Sequence, residues 1–320
     1  MFNPWYVPPY TFGQYGDSGN VDGQFANYYY IDMGYYPQTL YTGSVSLTQV
    51  SGETYTIDGS TCNVYTDGAD KYVKFTASST NNSFLDTSSS YYSNYQKYEG
   101  DRYYKIESVR WLILGYGDDT AIADSDIESV SKLSLTFSST GQTKAKVNGL
   151  LVLSEKVLVQ QKFNSSTSSG NRWSTSEVRT FMKDTFINDL FKNGETEYIK
   201  DTSLKTTYYS SGVKTGDDAD TSTDKLFLFS REQQSTYTTD SFNIQNYLTD
   251  SISRQAKATD LGYATGCYRS TNSSCLDITR WWLRAGSYAL NYEACGVDQA
   301  GLPSEEFVDI TDNSVRSAFV

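Results

Sequence analysis

The chain has 320 residues and no histidine. That absence excludes Ser-His-Asp and Cys-His catalysis as well as histidine-ligated zinc. Cysteine is sparse: only Cys62, Cys267, Cys275 and Cys295 occur, and none forms a CxxC pair. A zinc ribbon or thioredoxin-type site is therefore unsupported. Cys267 and Cys275 could close a small loop over YRSTNSS, leaving Cys295 for Cys62 or unpaired; four reduced thiols fit the count equally well. Positive charge is also scarce. The net charge is −12 with no long basic run, which argues against the cationic footprint of a nucleic-acid binder. The best apolar run, GLLVLSEKVLV at 149–159, is broken by Glu155 and Lys156, so no membrane span is expected. The opening MFNPWYVPPYTFGQYG lacks the basic and apolar regions of a secretory signal. Acidic stretches offer little chemistry. GDDADTSTD at 216–224 lacks the glycine and terminal glutamate of an EF-hand loop, and Asp118/Asp119 and Glu305/Glu306 sit in polar loops without helper groups. No cofactor or metal is expected.

Aromatics are abundant instead, with 28 Tyr and 15 Phe. Such side chains pack well on pleated surfaces, and tyrosine also furnishes recognition surfaces at low entropic cost. The plain reading is tyrosine on half-exposed strand faces. Residues 1–27 form an aromatic arm in which Pro4, Pro8 and Pro9 exclude helix. Its Trp5, Tyr6, Tyr10 and Phe12 are candidate docking residues for a neighbouring surface or subunit, against the alternative of a flexible terminus. From residue 28 onward, strand-like runs alternate with turn signals: YYYIDMGYYPQTL, SVSLTQV, KYVKFTA, YKIESVRWLIL, KLSLTFSS and AKVNGLLVLSEKVLV. Residues 78–98 read as a Ser/Tyr/Asn surface loop. One helix is signalled by RWSTSEVRTFMKDTFINDLF, with Ser174 as cap, Glu177 completing a capping box and Trp173 stapling Val178. Val178, Phe181, Met182 and Phe186 then share one face, and a weaker helix is expected at 193–201. If RWWLRAG at 280–286 is a strand, Trp281 and Trp282 point to opposite faces.

Taken in order, several segments resemble one uncharacterised domain family of gut bacteria and their phages. They are MGYYPQT (33–39), VRWLILG (109–115), GLLVLSEKVLVQQKFN (149–164), NRWSTSEVRTFMKDTFINDLF (171–191), DKLFLFSREQ (224–233), SRQAKATDLGYATG (253–266), RWWLRAGS (280–287) and NSVRSAFV (313–320). The family's fold is similar to that of C-type lectins and formylglycine-generating enzymes. The resemblance implies an α+β, C-type-lectin-like domain: a twisted, mainly antiparallel sheet, one or two packed helices and long loops. It covers 28–320 as a single domain, with insertions at about 45–100 and 116–146. The family carries proline where Ser317 stands, and its Gly-rich loop is replaced at 288–312 by a segment holding Cys295 and PSEEF.

That loop lies where such folds place variable ligand contacts. Tyr288, Asn291, Tyr292, Glu293, Asp298, Glu305 and Glu306 are therefore the candidate partner-binding residues. Arg254, Arg280, Arg284 and Arg316 recur beside apolar positions. Arginine next to tryptophan can stack on it or clamp a carboxylate. The favoured reading is structural, with Arg284 and Arg316 tying loops to the core through carbonyls and acidic partners, and at least one of Trp281 and Trp282 buried. Formylglycine-generating enzymes bind copper through paired thiolates, but no cysteine here stands in that enzyme's motif. The expectation is a non-enzymatic recognition or structural protein of an extracellular assembly, namely a phage tail or head-decoration protein. The alternatives are a bacterial surface module for glycan or protein, and a copper oxidase of formylglycine-generating type. Expected partners are other virion or surface proteins, a host glycan or receptor, and copies of itself.

Overall fold

Period-two alternation of apolar and polar side chains builds about half of the described chain into mainly antiparallel sheets. The computed structural model describes residues 11–14, 29–77, 98–116, 150–192, 194–206, 208–210, 213–214, 220–229, 231, 251–287 and 290–320. The strands are β1 (Thr11–Gln14), β2 (Tyr29–Leu40), β3 (Thr48–Ile57), β4 (Ser60–Thr66), β5 (Lys71–Ala77), β6 (Gly100–Tyr116) and β7 (Leu150–Ser154). They continue as β8 (Val159–Gln160), β9 (Thr202–Thr206), β10 (Tyr209–Ser210), β11 (Val213–Lys214), β12 (Asp220–Asp224) and β13 (Ala256–Lys257). The last five are β14 (Ile278–Gly286), β15 (Glu293–Val297), β16 (Pro303–Phe307), β17 (Asn313–Val315) and β18 (Ala318–Phe319).

Two sheets dominate. An eight-stranded sheet runs β1-β2-β6-β5-β4-β3, with β7 paired to β6 and β18 to β7. A six-stranded sheet runs β16-β15-β14-β17-β8, with β13 on β14. Residues 48–77, within the expected insertion at 45–100, form the β3-β4-β5 meander of the larger sheet. The meander's first turn uses Asp58 and Gly59, both at positive φ, as a two-residue hairpin requires. KLSLTFSS, the loop 78–97 and most of the expected insertion at 116–146 lie outside the described residues.

Among the described residues the chain passes directly from one sheet to the other at two places. Residues 155–158 lead from β7 in the larger sheet to β8 in the smaller, and residues 316–317 lead back from β17 to β18. The crossings adjoin, since Ser154 N–H donates to Ser317 O at 2.8 Å. One continuous core fills both sides of this seam, from Val73 and Trp111 to Trp282 and Phe319. Trp111 stacks on Phe191 (6.1 Å between centroids), meets Phe319 edge-on (4.7 Å), and donates its indole N–H to Met33 O at 2.8 Å.

The expected helix is present, but its start is corrected. Glu177–Phe181, a π-helical turn at Met182–Phe186 and Ile187–Leu190 make one 14-residue helix. Its cap is Ser176, whose hydroxyl accepts from Arg179 N–H, not Ser174. Distant acids decide this. Trp173 donates to Ser222 and Asp224, and Ser174 N–H donates to Asp220, so Trp173–Thr175 is held as a 3-10 turn against β12. Glu177 bonds Ser165 instead of closing a capping box. Val178, Met182 and Phe186 are buried as the helical period predicts, with Phe181 partly so. The weaker helix is a single 3-10 turn, Glu195–Tyr198. Among the described residues no helix is long and apolar enough to cross a membrane.

Gly34 lets the helix end approach β2. It sits at φ +70°, and a Cβ there would lie 2.7 Å from Phe191 Cε1 and 2.8 Å from Leu190 O. Gly59 has the same φ but open space around it. Gly59→Ala should therefore cost about 1–2 kcal/mol from backbone strain alone. Gly34→Ala should cost that plus about 1–3 kcal/mol of overpacking. Urea unfolding of both variants measures the difference, and equal losses would refute the close approach.

Candidate functional site

RWWLRAG forms β14, and alternation does send its tryptophans to opposite faces. Both are nevertheless fully buried, because both faces of this strand are covered. Trp281 donates its indole N–H to Arg254 O (3.1 Å) and lies 5.0 Å beneath the Arg316 guanidinium. Trp282 donates to Gln161 O (2.9 Å) and packs edge-on against Phe163. The arginines around them bind main-chain carbonyls. Arg254 Nε donates to Gly301 O, Arg284 Nη1 to Leu228 O, and Arg316 to Ser154 O, Arg254 O and Glu155 O. Arg280 is the one with a described carboxylate partner, Asp312 at 3.2 Å; it also bonds Gln299 and covers the Tyr268 ring.

This lattice carries the segment 287–312 on its outside. The segment's base is held by Asn171, whose amide lies 2.6 Å from Ser287 O, 2.7 Å from Glu293 O and 3.3 Å from Leu290 O. Gly286 makes the approach possible, since a Cβ there would meet the Asn171 side chain at 2.7 Å. Asn171 escaped the sequence reading: its only signal is its place at the head of NRWSTSEV. The hairpin then pairs Glu293 with Phe307, Ala294 with Glu306 and Cys295 with Glu305. Alternation therefore parts the two glutamates. Glu305 shares a face with Glu293 and Cys295 and meets Arg231 at 3.5 Å. Glu306 takes the opposite face, towards Arg280 and Asp312.

The candidate residues divide accordingly. Asp298 is a turn residue, accepting from Ala300 N–H and Leu302 N–H at 2.8 Å each. Tyr292 packs on Phe307 at 5.7 Å, while Asn291 is exposed. Tyr288 lies outside the described residues. Phe307 (50 % exposed) and Leu302 (49 %) project from the hairpin amid its carboxylates. Partial burial, with Glu305 and Glu306 nearby, holds Glu293 above the usual carboxylate range; burial raises Glu306 despite the pull of Arg280. Of the docking arm, Thr11–Gln14 pairs with β2, setting Phe12 opposite Ile31, and Trp5, Tyr6 and Tyr10 lie outside the described residues.

All four thiols are free and buried, so no disulfide forms. Burial pushes Cys267 and Cys295 up to about 12 and Cys62 up to about 11. Each has its own surroundings: Ser314 and Thr265 at Cys267, Ser270 at Cys275, Arg231 at Cys295. Among the described residues no group of three or more Cys, Asp or Glu is placed to hold a metal ion.

Two outcomes follow. Asn171→Ala should cost about 1–3 kcal/mol by taking the donor from Ser287 O, while Glu293 O and Leu290 O keep backbone donors, and should raise amide exchange across 287–293 above that of β14; unchanged exchange would refute the pinning. Folded Glu293 binds its proton more tightly than the unfolded chain does. Its contribution to stability therefore falls as pH rises from the ordinary glutamate range to the raised value, and stays low above it. Glu293→Gln should accordingly melt higher than wild type at pH 7, and lose that advantage below a pH of about 4.

No curated protein and no solved structure matches the chain. One family model matches residues 148–320, from β7 to the C-terminal residue, so the MGYYPQT and VRWLILG segments precede the matched region. The chain belongs to the family described as a domain of unknown function, DUF6273.

Proposed function

We propose that this protein is a non-enzymatic recognition or structural component of an extracellular assembly, a phage tail or head-decoration protein whose domain is C-type-lectin-like. In this reading the β15–β16 hairpin contacts the partner and the N-terminal aromatic arm docks the chain on its neighbours. The carrying observation is the hairpin itself, an edge of the six-stranded sheet with Phe307 and Leu302 exposed among carboxylates and anchored on a buried Arg–Trp lattice. Apolar side chains displayed on a rigid base, rimmed by polar groups, are what a protein interface requires. The C-type-lectin-like reading draws support from the antiparallel pairing of β7 with β18, from the packed 14-residue helix, and from the long segment between β14 and β17.

Fractionation separates the readings. An antibody against the chain should label gradient-purified phage particles; label confined to the cell envelope would contradict the virion assignment and select the surface module. Leu302→Ala/Phe307→Ala should leave stability within about 0.5 kcal/mol, as surface changes do, yet lower incorporation into particles. Unchanged incorporation would contradict the hairpin's role.

A further inference from the structure

A second surface, remote in sequence from the hairpin, carries a different chemistry. On β5, Val73, Phe75 and Ala77 face the core, so Tyr72, Lys74 and Thr76 take the opposite face, where Tyr72 is covered (4 % exposed) and the rings left half-exposed are those of Tyr41, Tyr65 and Tyr103. Register extends that outer face across three strands: Tyr72 lies opposite Tyr65 of β4 and Lys105 of β6, and Lys74 opposite Tyr103 of β6. Tyr41 joins the face beside Tyr103, to which its backbone is bonded. The four tyrosines interlock. Tyr41 meets Tyr72 edge-on at 4.8 Å, and Tyr65 meets Tyr103 edge-on at 5.1 Å, reaching over β5.

The lysines beside these rings are paired. Lys74 pairs with Asp101 at 2.5 Å and Lys105 with Asp70 at 2.8 Å. Asp67 is held by Ala69 N–H, Asp70 N–H and the Tyr72 hydroxyl, and Thr39 donates to Glu107. Here two lysines stand beside four carboxylates, each lysine is paired, and the polar groups are fixed in place. The exposed apolar side chains Leu302 and Phe307 belong to the hairpin, whereas Val45 (60 % exposed) lies beside Tyr41, whose hydroxyl bonds its main chain.

We infer that the tyrosine face of β4-β5-β6 is a binding site for a neutral oligosaccharide. Aromatic rings offer apolar area to the C–H faces of a sugar, while phenols and fixed carboxylates and ammonium groups bond its hydroxyls. An anionic ligand gains little where each lysine already has its partner and carboxylates outnumber lysines, and a protein partner would want a broader aliphatic patch than Val45 alone. From β4 to β6 the face spans about 10 Å, which suits several sugar units better than one. The site is independent of the hairpin, so its failure and that of the proposed partner contact are distinguishable.

The test uses the full chain with hexasaccharides of neutral glucans, mannan, xylan and chitin, and polygalacturonate as the anionic arm, by saturation-transfer NMR and calorimetry. At least one neutral hexasaccharide should bind. Tyr65→Ala/Tyr103→Ala should weaken it by at least about tenfold, as loss of central aromatic anchors does, while Phe307→Ala leaves it unchanged. If the double alanine variant misfolds, Tyr65→Phe/Tyr103→Phe keeps the rings and should still weaken binding by removing the hydroxyls. Absence of binding to every neutral probe overturns the assignment, as does binding that a folded double variant retains. Preferential, salt-sensitive binding of polygalacturonate also overturns it.

Discussion

The guanidinium of Arg316 donates from Nε to Ser154 O and from its two terminal nitrogens to Arg254 O and Glu155 O. Ser154 and Glu155 lie where the chain leaves the larger sheet, Arg254 ends the helical turn before β13, and Arg316 itself lies in the second crossing. A buried guanidinium is costly to desolvate, and only well-placed acceptors compensate it. The carbonyls of irregular backbone at the seam need donors for the same reason. Each side of the bargain satisfies the other. Trp281 lies under the guanidinium, bonded to the Arg254 carbonyl that Arg316 also uses. Arg254 in turn reaches Gly301, so the clasp extends to the β15–β16 turn of the candidate partner segment.

This arrangement joins residues that sequence comparison divides. The family match begins at 148, yet β7 pairs with β6 from the preceding region, and Trp111 of β6 packs against Phe319 at the far end of the chain. The tyrosine-bearing meander at 48–77 hangs on the same β6. The two surfaces assigned to recognition thus lie on separate sheets that share one core, the hairpin in the family-matched region and the tyrosine face ahead of it.

Alternation and helical period were legible wherever neighbours in sequence decide the outcome. KYVKFTA is β5, VRWLILG lies within β6, and Val178, Met182 and Phe186 fill the helix face. Legibility failed where a distant partner decides. The helix starts at Glu177 because Asp220 and Asp224 hold the preceding turn, and nothing near Ser174 announces them. In RWWLRAG, alternation fixes opposite directions for the two tryptophans but not the number of layers around the strand, so the burial of both was not readable. Asn171 is a stronger case, since its three carbonyl contacts lie more than a hundred positions away. The tyrosine face needed register as well: Tyr41, Tyr65, Tyr72 and Tyr103 come from four segments that only pairing brings together.

The central claim is that a forked, planar donor at 316 holds both crossings. Denaturant unfolding of Arg316→Lys tests it, because lysine keeps the charge but is a single point donor that cannot span three carbonyls. The account predicts one cooperative transition with stability lower by roughly 3 kcal/mol or more. A variant within about 0.5 kcal/mol of wild type, the range of surface substitutions, would contradict it.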